Sequence, residues 1–103
     1  MATYLFAYTG GAASNDEDPA STIAAWGRWF TTLGDAVVDA GNPFGPTATV
    51  TADGGVADGA AAGLSGYSLV KADGLAAATT LAKDCPVIAN GGTVQVYEVI
   101  PAM

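Results

Sequence analysis

Two stretches of this chain carry the same order of local signals, and that echo restricts the fold more than any other feature. YLFAY precedes a helical pattern and then NPFGPTATV, while YSLVK precedes a second helical pattern and then CPVIANGGTVQV. Each half reads strand, helix, X-Pro exit, glycine, and a strand of threonine and valine, which is the order of a split β-α-β repeat. At 103 residues the chain has room for one domain, residues 1–103, and not for two, since a domain takes on the order of 100 to 150 residues.

The local chemistry supports each element of the repeat. Residues 3–8 form a strand candidate with Tyr4, Phe6 and Tyr8 on one face and Leu5 and Ala7 on the other, because side chains alternate across a strand. Asp18 followed by Pro19 reads as an N-cap and first helical position. Ile23, Trp26, Phe30, Leu33, Val37 and Ala40 then recur at helical spacing, with Gly41 suited to end the helix and Pro43 and Pro46 to prevent its resumption. Residues 47–52 are rich in β-branched side chains and predict the second strand, with Asp53-Gly54-Gly55 as a turn after it. Residues 56–66 lack a period and read as a loop. Residues 67–72 predict the third strand, and Asp73 caps a helix whose Leu75, Ala78, Leu81 and Ala82 share a face before Cys85-Pro86 closes it. Residues 93–100 alternate well enough for a last strand.

Two such units predict an α+β domain of β-α-β-β-α-β order, a four-stranded antiparallel sheet with two helices on one face, which is the ferredoxin-like arrangement. The other sheet face would then be bare, yet the first strand is apolar on both sides, and the last offers Val94 and Val96 on one face and Tyr97 and Val99 on the other. Contiguous apolar surface of this kind marks an interaction site, so the expectation is a homodimer that buries the sheet face.

Composition excludes several partners and chemistries. Ten acids against Arg28, Lys71 and Lys83 give a net charge of −7, which repels nucleic acid and anionic membrane surfaces. No apolar run reaches the roughly 18 residues that span a bilayer. The start has no basic segment and too short an apolar run for a secretory signal, so the expected location is cytoplasmic. One cysteine, Cys85, permits no intrachain disulfide, and histidine is absent. A transition-metal site is therefore not expected, and no cofactor is implied. The acids 16–18 and the segment DGGVADG lack the ligand spacing of a calcium loop. GGAASNDED lacks the lysine and spaced glycines of a phosphate loop.

The candidate ligand-binding residues are Asp39, Asp58, Arg28, Tyr8 and Tyr67. Asp58 beside Gly59 either accepts hydrogen bonds from a ligand or organises a turn. Asp39 lies four residues from Asp35, so on a continuing helix the two carboxylates share a face, either as a pair or as a solvated surface. Arg28, the only arginine, stands between Trp26 and Trp29, either as a carboxylate clamp or as a cover for an aromatic ring. Tyr8 and Tyr67 present hydroxyls to a cleft or pack with hydrogen-bonded tips. Cys85, read at a helix C-terminus, has its thiolate opposed by the dipole and reads as structural.

With these residues placed, the chain resembles the YCII-related proteins, which include those named for a DGPF motif. The resemblance covers nearly the whole chain through YLFAY, AWGRWFTTLGDAVVDAGNPFGP, VADG, GYSLVKADGLAAATTLA and GGTVQVYEV. It implies a ferredoxin-like fold whose sheets meet in a dimeric α/β barrel. It implies little about activity: some relatives carry a histidine and an aspartate in a cleft, whereas this chain has no histidine, and Ala60-Ala61 stands where the motif has Pro-Phe. The functional expectation is a dimer that binds a small polar or aromatic molecule between helices and barrel. The alternative is a non-catalytic assembly or regulatory module without a ligand.

Overall fold

Strand β1, Ala2–Thr9, lies inside the sheet with neighbours on both sides, and its alternating aromatics explain why. A strand that is apolar on both faces is stable only where both are at least partly covered. The computed structural model describes residues 1–10, 19–60 and 63–101. Helix α1, Pro19–Leu33, follows, then strands β2, Val37–Asp39, β3, Ala48–Val50, and β4, Val56–Asp58. Strand β5, Leu64–Ala72, leads through helices α2, Leu75–Ala82, and α3, Pro86–Ala89, to strand β6, Thr93–Val99. The expected N-cap Asp18 and the loop ahead of it lie outside the described residues.

The main sheet has four strands in the order β2-β5-β1-β6, each pairing antiparallel. This is the strand order of a ferredoxin-like α+β fold, with the hairpin β3-β4 inserted between the second and third strands of the repeat. Register sets the two faces. Tyr4, Phe6 and Tyr8 lie beside Val70, Ser68 and Gly66 on one flank and Glu98, Val96 and Val94 on the other. That face is the core side, where Trp29 and Leu33 of α1, Ala78 and Ala82 of α2, and Val87 of α3 pack on it. Trp29 stacks on Phe6 at 6.1 Å between ring centroids, and its indole N–H donates to the Leu81 carbonyl at 3.2 Å. Both tryptophan surfaces are thereby tied to neighbours, the apolar body to the sheet and the polar tip to α2.

The structure corrects the expected course of the first half. α1 ends at Leu33 rather than continuing to Ala40, because Gly34 takes φ +57° and turns the chain out of the helix. The β-branched pair Val37 and Val38 then becomes extended, and the strand pairs with β5, Val37 opposite Val70 and Asp39 opposite Leu69, with Val38 as the extra residue of a bulge. A free strand edge offers these residues a ladder, and the weak helix propensity of valine does not compete with it. The second sheet strand is therefore 37–39, and the residues expected to form it, 47–52, build the hairpin instead. Ile23, expected in the core, is largely exposed, while Trp29 takes the buried position.

Gly41 fastens this edge to β5. It adopts φ +78°, and a Cβ there would stand 1.7 Å from the Tyr67 carbonyl oxygen. Only glycine permits the approach, which continues through Tyr67 N–H donating to the Asn42 carbonyl at 3.3 Å and Phe44 N–H to that of Ser65 at 2.9 Å. In the second half, α2 starts after Gly74 rather than under an Asp73 cap, since no side chain caps it. Cys85 precedes α3 rather than closing α2 directly: Pro86 opens a further short helix, where its missing N–H costs nothing. β5 begins at Leu64, so the expected loop 56–66 contains β4 and the first turn of this longer strand.

The hairpin β3-β4 is specified locally. Gly55 N–H donates to Asp53 Oδ1 at 2.9 Å, and the Thr51 hydroxyl also donates to that carboxylate. These bonds hold the Asp53 carboxyl below its ordinary value, the Thr51 contact contributing most. Val50 and Val56 remain widely exposed. The radius of gyration is 15.0 Å, above the roughly 13 Å of a compact domain this long.

Candidate functional site

A cleft of about 540 Å³ opens where α1 meets the sheet edge formed by the 40–43 segment and the start of β5. Trp26 and Phe30, one helical turn apart, present their rings to it, and Val87 and Pro43 add apolar wall. Trp26 stands edge-on to Tyr8 at 5.2 Å and lies 5.9 Å from Phe30. The same contacts that anchor α1 to β1 thus build the aromatic side of the cleft.

Its floor is polar. Tyr8 O–H donates to Ser68 Oγ at 2.7 Å, and Ser68 O–H donates to the Ala40 carbonyl at 2.7 Å. This chain joins β1, β5 and the end of β2, with Tyr8 and Ser68 both buried. Burial raises the Tyr8 phenol above its ordinary value. Tyr8 therefore stays protonated at neutral pH and serves as a fixed hydrogen-bonding group, not as a base. The buried Cys85 thiol adjoins the same hydroxyl. Burial pushes it up to about 11, even though the Val87 backbone N–H favours the thiolate.

The five sequence candidates are dispersed. Tyr8 and Tyr67 border the cleft. Tyr67 directs its hydroxyl away to Asp39 Oδ2 at 3.3 Å and stacks its ring on Phe44 at 5.7 Å. Asp39 is not on a helix and does not pair with Asp35: it sits in β2, exposed, with Oδ1 accepting from Gly41 N–H at 2.8 Å. Arg28 faces a separate, wider groove of about 840 Å³ between α1 and α3, with Asp84 and Trp29. Asp58 lies exposed in β4, outside the cleft lining.

The candidates did not include Ser68, Trp26 or Phe30 as site residues. Ser68 carried a usable signal, since it alternates with Val70 and Ala72 on the buried face of a strand, and a buried hydroxyl requires a partner. The cleft itself had no signal, because it depends on where α1 crosses the sheet edge. Among the described residues no group of three or more His, Cys, Asp or Glu is placed to hold a metal ion. No described helix is long and apolar enough to cross a membrane. No protein-family model matches this chain, and no curated protein matches it.

Proposed function

We propose that this chain is a homodimeric, YCII-like module that binds a small molecule in the cleft between α1 and the sheet edge. The observation that carries this reading is the combination in that cleft of an aromatic wall, Trp26 and Phe30, with the ordered polar floor Tyr8–Ser68–Ala40. Ligand sites are mostly apolar concavities of about 300–1,000 Å³ with a few placed polar groups, and this cleft has that make-up. The strand order and the helices on one face support the likeness to YCII-related proteins. A cytoplasmic setting belongs to the same proposal, supported by the free thiol of Cys85.

The dimer rests on the second sheet face. Leu5, Leu69, Tyr67, Tyr97 and Val99 share it by register, with Lys71 and Asp39 as its charged members. Tyr97 is 53% exposed and Val99 42%. The molecule is only 18 Å through its thinnest direction, enough for one sheet and one helical layer. In a chain of charge −7 this face is mostly apolar, and its one lysine can offset its one aspartate when two copies join.

One observation favours a binding role over catalysis: Asp39 and Asp58, the carboxylates expected to do acid/base work, are exposed and outside the cleft. A thermal-shift screen of small acids, phenols and nucleotides tests the reading in wild type and Ala40→Phe. Ala40 is exposed at the cleft wall, so phenylalanine fills the mouth without disturbing the core. A ligand at ten times its Kd stabilises by about 1.4 kcal/mol, or roughly 5–10 °C for a domain this size. The shift is expected in wild type and lost in the variant; no shift across the screen, or an equal shift in both, overturns the reading.

A further inference from the structure

We infer that the cleft selects an uncharged aromatic molecule of one or two fused rings whose polar group is a hydrogen-bond donor, such as a neutral phenol. This rests on the reading of the cleft as a binding site, and two independent observations narrow the ligand.

The first is charge. The molecule carries ten acids and three cations, yet among the described residues the cleft lining contains no Asp, Glu, Lys or Arg. Arg28, the one guanidinium, lies in the other groove. A carboxylate or ammonium entering the cleft would shed hydration without meeting an opposite charge from any described lining residue, a cost that aromatic contact does not recover. The overall negative field adds to the penalty for an anion.

The second is hydrogen-bond accounting. A carbonyl only accepts, so the bond to Ala40 O commits the Ser68 proton, and the bond between Tyr8 and Ser68 must then use the Tyr8 proton. Ser65, exposed on the same wall, donates to the carbonyls of Tyr8 and Gly10 at 3.2 and 3.1 Å, which commits its proton as well. Ser68 is fully buried behind Tyr8, so the hydroxyls within a ligand's reach are those of Ser65 and the rim of Tyr8, which have lone pairs left to offer and no protons. A ligand that meets them must bring an O–H or N–H. Asn42, the amide of the lining, is exposed at the mouth. Trp26 and Phe30 supply ring faces and edges for a planar body, and such pairs favour aromatic over aliphatic occupants.

Three probes separate the claims: 2-naphthol, which is neutral with a donor; its methyl ether, which lacks the donor; and 2-naphthoate, a carboxylate. Binding is followed at neutral pH by the NMR signal of the Trp26 indole N–H, assigned with Trp26→Phe. Naphthol is expected to shift that signal and to bind about tenfold or more tightly than naphthoate and several-fold more tightly than the ether. If naphthoate or the ether binds as well as naphthol while shifting the Trp26 signal, the ligand class is wrong and the cleft reading stands. If none of the three moves the signal, the cleft reading falls as well.

Discussion

Tyr8, Ser68 and Cys85 concentrate the polar groups of the core in one corner, and their protonation states follow from burial. Cys85 is raised from 9.0 to about 11, and Tyr8 is raised from 10.0, in both cases mainly by loss of hydration. Both groups are neutral when protonated, so the folded chain keeps protons that the unfolded chain releases as pH rises. Stability is therefore present in full below about pH 9 and falls between about 9 and 11 through Cys85, with Tyr8 adding to the loss above 10. Urea midpoints of wild type and Cys85→Ala at pH 7.5, 9.5 and 11 check this. The wild-type midpoint should fall more steeply than the variant's over that window, and parallel profiles would show that the thiol does not titrate as described.

At the scale of elements, the exit from α1 decides the architecture of the first half. Gly34 stops the helix, Val37 and Asp39 join β5, and Gly41 lets the chain press against the Tyr67 carbonyl. The sequence signals for these events were present but ambiguous, since Val37 and Ala40 continue the helical spacing while valine also suits a strand. Gly41→Ala combines a strained positive φ with a clash against backbone, and is expected to cost at least about 2 kcal/mol. Gly45→Ala, which meets open space, should cost under about 1 kcal/mol. Chemical denaturation of the pair measures both, and similar losses would mean that the close approach is not what holds this edge. The hairpin β3-β4 shows the opposite relation: its turn chemistry was legible at Asp53-Gly54-Gly55, but its strand was assigned to the wrong sheet. Local propensity identifies extended residues without identifying their partner.

For the whole molecule, the second sheet face sets the expected assembly. Tyr97→Lys places a cation on a residue already exposed in the single chain, so folding is expected to survive. Light scattering at micromolar concentration should give wild type twice the 10.1 kDa chain mass and the variant a single chain mass. A wild-type mass of one chain would remove the dimer. Tyr97 is not part of the cleft lining, so this variant also tests whether ligand binding needs the assembly.

The sequence alone determined the α+β class, the alternation that places Tyr4, Phe6 and Tyr8 opposite Leu5 and Ala7, the start of α1 at Pro19 and the lack of histidine chemistry. These are properties of neighbouring residues, governed by periodicities of two and 3.6 and by residue type. Only the tertiary structure decided that residues 37–39 pair with β5, that Arg28 and Asp58 stand apart from the cleft, and that Ser68 completes its floor. Those outcomes depend on distances between residues far apart in the chain, and on competition between a helix end and a free strand edge. Spacing along the sequence carries no record of that competition until the sheet edge is there to win it.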